Sequence, residues 1–278
     1  MNGAEALLEG LKREGVDVLF GISGGAILPI YDALGKQEDI WSILTRHEQG
    51  AGHMAEGYAR ATGKVGCCIG TSGPGATNLV TAITDAFMDS TPVVFLSGQV
   101  ATANIGKDAF QEADTFGITM PIVKHSYLVK KSSDIPRIVK EAFHIARTGR
   151  PGPVLIDIPK DVSEGMIGEY PEPGPVHLRG YDPELPAAHE QIKAAAELIK
   201  NCKRPVLYVG NGVNQSDAAD DLIVDRDAEV RLWVLLGRDA NPLFRILQRI
   251  RMGDAQHVAR DAVSADVLGE RLSIGGAE

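Results

Sequence analysis

The chain has no apolar run approaching the ~18 residues that a membrane-spanning helix requires, so no transmembrane segment is expected. A basic excess is also missing: 28 Lys and Arg stand against 37 Asp and Glu, a formal net charge of −9. That balance argues against an electrostatically driven nucleic-acid binder. Cysteine is scarce, with Cys67, Cys68 and Cys202 the full set. An odd, sparse count suits a reducing compartment, the cytoplasm, and an adjacent pair in an apolar stretch cannot readily offer two ligands to one tetrahedral zinc. All three are read as buried, inert thiols. The opening residues include Glu5 and Glu9, which does not suit a signal peptide. Lysine is absent from residues 215–278, which hold eight Arg, whereas residues 1–214 hold twelve Lys and eight Arg. Two explanations stand side by side: a divergent or inserted segment, or an altered reading frame or fusion near residue 214. Composition does not separate them; resequencing the coding DNA would.

What is present is enough for a packed core. At 278 residues, 44% apolar and 23% charged, the chain is long for one domain and suggests two. Apolar residues at 4, 7, 8 and 11 predict a helix over 4–13. Short apolar runs at 16–20, 40–44, 65–70, 92–96 and 154–158 predict strands, with a further contribution from 118–129. Helical patterns at 26–34, from about 48, at 76–88 and at 135–146 separate them. Continuous apolar strands alternating with helices indicate an α/β fold, a parallel sheet flanked by helices over residues 1–161. Residues 162–188 carry Pro171, Pro173, Pro175, Pro183 and Pro186 and read as a linker. A helix near 190–200, a strand at 205–209 and the turn Gly210-Asn-Gly212 begin a partial second α/β domain, taken as 189–278.

Glu48 follows the run at 40–44 and opens an Ala-rich helical segment. A carboxylate there sits in the positive field of a helix N-terminus. It also projects from the carboxyl end of a strand, where open α/β sheets place their ligands. Taken alone, it is as well explained as a surface carboxylate favouring a helix start. Residues 71–78, Thr-Ser-Gly-Pro-Gly-Ala-Thr-Asn, form a Gly-rich loop entering a helix, which could be read as an anion cradle. They lack the lysine of a P-loop and the spacing of the dinucleotide fingerprint. The turn at 21–26 is either a plain strand-to-helix turn or a close backbone approach to a ligand. His47 and His53 neighbour Glu48, but no further His or Cys completes a ligand set. Both are taken as local polar residues, and no metal site is expected.

In order along the chain, Gly21-Ile-Ser-Gly-Gly-Ala26, Arg46-His-Glu-Gln-Gly50, Gly57-Tyr-Ala-Arg-Ala-Thr-Gly63, Thr71 to Asn78, Asp108-Ala-Phe-Gln-Glu112 and the stretch from Gly149 to Asp161 together resemble the first domain of thiamine diphosphate enzymes of the acetolactate synthase family. The resemblance covers most of residues 1–161 and fades near 214. It implies a thiamine diphosphate pyrimidine-binding domain, followed by a truncated or divergent central FAD-associated domain. Glu48 would hydrogen-bond N1′ of the aminopyrimidine and favour the imino form that takes the C2 proton. Gln111 is the second catalytic residue implied. Gly24, Gly25, Thr71, Pro74 and Asn78 would contact thiamine diphosphate, and Arg150, Gly210, Asn211 and Gly212 would contact FAD. Phe110 and Lys160 would line the substrate channel, with Phe110 and Gln111 reaching across a subunit boundary.

Departures mark the same stretch: Ile22-Ser23 stands where relatives carry Tyr-Pro, and Ala101 where they carry Pro. Magnesium and the diphosphate would need a Gly-Asp-Gly motif with an Asn about thirty residues on. Gly253-Asp-Ala255 is the nearest match and no Asn follows Asn241, so the Mg²⁺ site is expected to be absent and the chain alone inactive. The implied reaction joins pyruvate to a second 2-oxoacid, in a homodimer or higher oligomer with a possible regulatory subunit, for branched-chain amino acid synthesis (isoleucine and valine). Alternatives are another carboligase or decarboxylase of the class, or a non-catalytic fragment that pairs with a full-length subunit.

Overall fold

The computed structural model describes residues 1–183, 188–202, 206–216 and 218, and the backbone of two strands at 232–236 and 248–250. Two compact units divide at Leu185 and Pro186. In the first, six strands form one sheet in which every pairing is parallel: β1 Val18–Gly21, β2 Trp41–Leu44, β3 Gly66–Gly70, β4 Val93–Gln99, β5 His125–Leu128 and β6 Val154–Pro159. Their order across the sheet is β2-β1-β3-β4-β6-β5. The central strands β3, β4 and β6 are buried along their whole length, as the unbroken apolar runs predict for a sheet covered on both faces.

Helices α1 (Gly3–Arg13), α2 (Leu28–Leu34), α3 (Glu48–Thr62), α4 (Pro74–Asn78), α5 (Val80–Met88), α6 (Thr115–Thr119), α7 (Ile135–Arg147) and α8 (Lys160–Glu164) supply that cover. One core layer joins Leu7 and Leu11 of α1 and Phe143 of α7 to Ile69, Leu96 and Ile156. The other joins Ala51 and Ala55 of α3 and Ile83 of α5 to Cys68, Phe95 and Leu155. Successive strand residues thus feed opposite layers. Cys67 and Cys68 therefore point to opposite faces and cannot bridge each other; burial pushes both thiols up. α1 begins with a reciprocal cap: Asn2 Oδ1 accepts from the Glu5 amide at 2.9 Å and Glu5 Oε2 from the Asn2 amide at 3.0 Å. The buried face of α3 is Ala51, Gly52, Ala55 and Ala59, with Glu56. These small side chains let the helix lie close on β3 and α5.

Several expectations are revised. The stretch 118–129 is a strand only from His125; its first part completes α6 and a 3-10 turn. The strand expected at 40–44 is present as β2, an edge strand whose Trp41 and Leu44 are exposed. Residues 162–188, expected as a linker, are fastened to the first unit as far as Tyr181. Gly165 and Ile167 pair with Gly3 and Met1, the Arg13 guanidinium lies 4.3 Å from the Tyr170 ring centre, and Lys140 Nζ donates to the carbonyls of Pro173 and Gly174. Tyr181 meets Thr148 Oγ1 at 2.8 Å and Lys124 Nζ at 3.3 Å. Prolines stop regular structure there without preventing attachment.

The second unit contains α9 (His189–Asn201), β7 (Val206–Val209), α10 (Gly212–Gln215), β8 (Leu232–Leu236) and β9 (Gln248–Ile250). β7 and β8 pair in parallel, and β8 and β9 antiparallel. Cys202, expected to be buried, is exposed just past α9. Gly253 and Asp254, weighed above as a magnesium motif, lie outside the described residues, as does most of 215–278.

Candidate active site

The strand order places the site. From β1 the sheet extends one way to β2 and the other way to β3 and β4, so loops leaving β1 and β3 diverge at their carboxyl ends. Such a switch point leaves a crevice. Glu48 stands there, the first residue of α3 and half-buried. His47 caps the helix, its Nδ1 accepting from the Gln49 amide at 3.1 Å. The uncapped amides of the first turn favour a carboxylate at this point.

Asn78, at the end of α4, donates from Nδ2 to Glu48 Oε2 at 3.0 Å. The other carboxylate oxygen faces Gly75, where an added Cβ would stand 3.2 Å from Oε1. Thr71 joins the two loops: its Oγ1 lies 3.4 Å from the Ala26 amide. A Cβ on Gly24 would stand 2.5 Å from Thr71 Cβ, so packing itself demands glycine at 24. At Gly25 an added Cβ would meet nothing within 4 Å. Gly73 has φ 59° and packs against the Gln111 backbone, where a Cβ would lie 2.6 Å from the Gln111 carbonyl oxygen. Pro74 then opens α4 at a position where its missing N–H costs nothing. Glu48, Gly24, Gly25, Thr71, Pro74 and Asn78 thus gather at one crevice, although they span 55 residues of sequence.

The remaining expected site residues fall in different places. Gln111 touches the crevice rim through its backbone, at φ 58°, while Phe110 beside it is 89% exposed. Their loop is held by Glu112, which accepts from the amides of Ala109 (2.8 Å) and Gly106. Those backbone donors hold its carboxyl below the usual range. Lys160 begins α8 and lines an open cleft with Leu28, Pro29 and Asp32 of α2. Arg150 is not at the crevice. Its guanidinium donates to Ser90 Oγ (2.7 Å) and to the carbonyls of Phe87 (3.1 Å) and Met88 (3.2 Å), closing the end of α5 before β4 begins. Gly210, Asn211 and Gly212 form an exposed turn of the second unit.

Sequence reasoning missed three features. Tyr31 packs beside the crevice, its hydroxyl pushed up to about 12 by burial and then by the charges of Cys68 and Glu48. Helical spacing with Ile27, Ile30 and Leu34 could have placed it on the inner face of α2. Asp157, buried on β6, was hidden inside an apolar run. The third is a cluster of ligand-type side chains, His53, Glu56 and Asp85, with ligand atoms within 4.8 Å of one another. It was overlooked because Asp85 lies on another helix. Glu56 there is already engaged by Arg60 (2.8 Å), and burial raises its carboxyl against that pairing. Among the described residues no helix is long and apolar enough to cross a membrane.

Residues 1–118 match the N-terminal TPP binding domain of thiamine pyrophosphate enzymes. The chain is 54% identical over 222 residues to the acetolactate synthase large subunit of Mycobacterium tuberculosis, covering 80% of this chain and 36% of that protein. It is 55% identical over 225 residues to a probable acetolactate synthase large subunit of Methanococcus aeolicus, covering 80% and 37%. With the acetolactate synthase of Arthrospira platensis the identity is 55% over 222 residues, covering 78% and 38%. The chain therefore spans little more than a third of the length of these relatives. By this match and these identities, residues 1–118 are similar to the N-terminal TPP binding domain of thiamine pyrophosphate enzymes, and about 80% of the chain is similar to part of acetolactate synthase large subunits.

Proposed function

We propose that this chain supplies the pyrimidine side of a thiamine diphosphate site in an acetolactate synthase, which joins pyruvate to a second 2-oxoacid for isoleucine and valine synthesis. The observation that carries this is the Glu48–Asn78 pair set at the switch-point crevice. The donor set fits an aminopyrimidine. One carboxylate oxygen is held by Asn78, the other faces the glycine backbone of the 71–75 loop, and Gly25 leaves space that packing does not need. When bound, thiamine diphosphate supplies the carbanion that attacks the 2-oxoacid carbonyl.

This chain's own part is narrower. Glu48 holds a proton at the ring nitrogen, in a half-buried setting suited to acid–base work. Asn78 keeps the carboxylate in one orientation. Gly24 and Thr71 lock the two crevice loops together, so the pocket is formed before any ligand arrives. Phe110, Gln111 and Lys160 extend the reading to the 2-oxoacid channel.

Magnesium and FAD find less support. Arg150, an implied FAD contact, is engaged with the end of α5, and Gly253 and Asp254, the nearest match to a magnesium motif, lie outside the described residues. The "large subunit" name of the relatives supports assembly with a smaller partner, and the exposed apolar Phe110 suits burial in a larger oligomer. A cytoplasmic enzyme is the reading that the sparse free thiols support.

Titration of the chain with thiamine diphosphate, followed by ¹H–¹⁵N NMR, tests this. Amide signals of Gly24, Gly25 and Thr71 and the Asn78 carboxamide should shift at millimolar ligand, and Glu48→Gln should weaken the response at least ten-fold without changing the spectrum elsewhere. Shifts that spare these residues, or that survive unchanged in Glu48→Gln, refute the assignment.

A further inference from the structure

Asp157 is 1% exposed on β6, between β4 and β5, and among the described residues no ion pair reaches it. Both of its oxygens are occupied. Oδ1 accepts from Ser97 Oγ, its neighbour across the sheet, at 2.6 Å, and Oδ2 from Gln99 Nε2 at 3.0 Å. The same Gln99 nitrogen donates to the Ala113 carbonyl at 2.9 Å, and Gln99 Oε1 accepts from the Val100 amide at 2.8 Å. The carboxamide is thus committed at both ends and cannot turn over without losing all three bonds.

Ala113 closes the loop that carries Phe110 and Gln111. Four residues beyond Asp157, Asp161 takes the other end of that loop, accepting from the Thr102 amide at 2.9 Å and from its hydroxyl. The Thr102 end of 102–113 is therefore bonded directly to Asp161 of α8, and the Ala113 end to Asp157 of β6 through Gln99 of β4.

We propose that Asp157 is a positioning residue: through Gln99 it seats Ala113, and so fixes where the 102–113 loop presents Phe110 and Gln111 at the crevice. The purpose of the loop rests on the functional reading above. The seating is a property of this chain alone and can fail independently of cofactor binding.

The seat has a pH signature. Burial pushes the Asp157 carboxyl up to about 7, against the lowering effect of the Ser97 and Gln99 hydrogen bonds; the like charge of Asp114, at the start of α6, adds to the rise. α6 packs over β5 and β6, so lifting the loop and α6 would let water reach the carboxyl and return it toward its ordinary value of 3.8. Opening then favours the ionised form. The closed loop is most secure at low pH and loosens as pH rises through about 7.

Hydrogen exchange of the 278-residue chain, read by mass spectrometry as protection over the intrinsic rate, tests this. Protection of 102–113 should fall about ten-fold between pH 6 and 8, as expected where one fewer proton is bound per opening. Asp157→Asn should remove that fall. Gln99→Met should lower loop protection at least five-fold at pH 6 while α7 keeps its own. A flat wild-type profile, a pH dependence that persists in Asp157→Asn, or a Gln99→Met loss shared equally by α7 overturns the proposal. Should Asp157→Asn not fold, the wild-type profile and Gln99→Met decide.

Discussion

Helices α7 and α9 are both thirteen residues long and both carry apolar residues at helical spacing, yet they meet opposite conditions. α7 buries nine of its residues, Phe143 completely, against α1 and the sheet. α9 buries none, and its Ile192, Leu198 and Ile199 are exposed. Amphipathic spacing states what a helix needs; only a facing layer meets that need. In the first unit the layer is a parallel sheet whose central strands β3, β4 and β6 are buried along their whole length.

The sharpest way to break this comparison is a matched pair of truncations. Phe143→Ala should cost about 3–5 kcal/mol, since a fully buried ring leaves a cavity. Leu198→Ala should change stability by no more than ~0.5 kcal/mol. Urea unfolding followed by circular dichroism measures both. An equally large loss at Leu198 would mean that α9 is covered after all.

Burial also predicts how stability responds to pH. Asp157 has its folded value raised to about 7, above the ordinary 3.8. Its stabilising contribution is therefore complete below the unfolded value and is lost as pH rises through the folded one. The slope approaches ~1.4 kcal/mol per pH unit between those values. Urea midpoints at pH 5, 6, 7 and 8 should fall in the wild type and flatten in Asp157→Asn. The same slope in both proteins would assign the effect to other groups.

Glycines give the smallest and most local contrast. Gly24→Ala forces a Cβ to 2.5 Å from Thr71 and should cost about 1–3 kcal/mol. Gly57→Ala, on an exposed turn of α3 where a Cβ meets nothing, should stabilise by about 0.5–1 kcal/mol. Melting temperatures moving in the same direction would show that crevice packing is looser than described.

Much of the first unit was legible because its strands are continuous apolar runs and its long helices have a clear period. α1, α3 and α7 and five of the six strand positions, β1, β2, β3, β4 and β6, follow from that pattern, within a few residues at their ends. The stretch 118–129 misled because apolar residues there serve a helix turn before the strand begins. The strap at 162–181 misled because proline reports only the lack of repeating structure. Tyr170 and Tyr181 attach it through side chains that carry no period. Cys202 was misplaced because a thiol's usual burial is a tendency of the residue type, and this one sits at the end of an uncovered helix.

The crevice divides along the same line. That Glu48 opens a helix after a strand, and that Gly-rich turns follow two other strands, is local information, and the sequence by itself determined it. The β2-β1-β3 order is not local. It brings Gly24, Thr71, Asn78 and Glu48 together and leaves Arg150 with the end of α5. Hydrogen bonds between strands are non-local, so only the tertiary structure decided which loops would face one another. The same holds for Asp157. Among apolar neighbours it reads as one more strand residue, and only its burial beside Ser97 and Gln99 makes it the seat of a loop more than forty residues away.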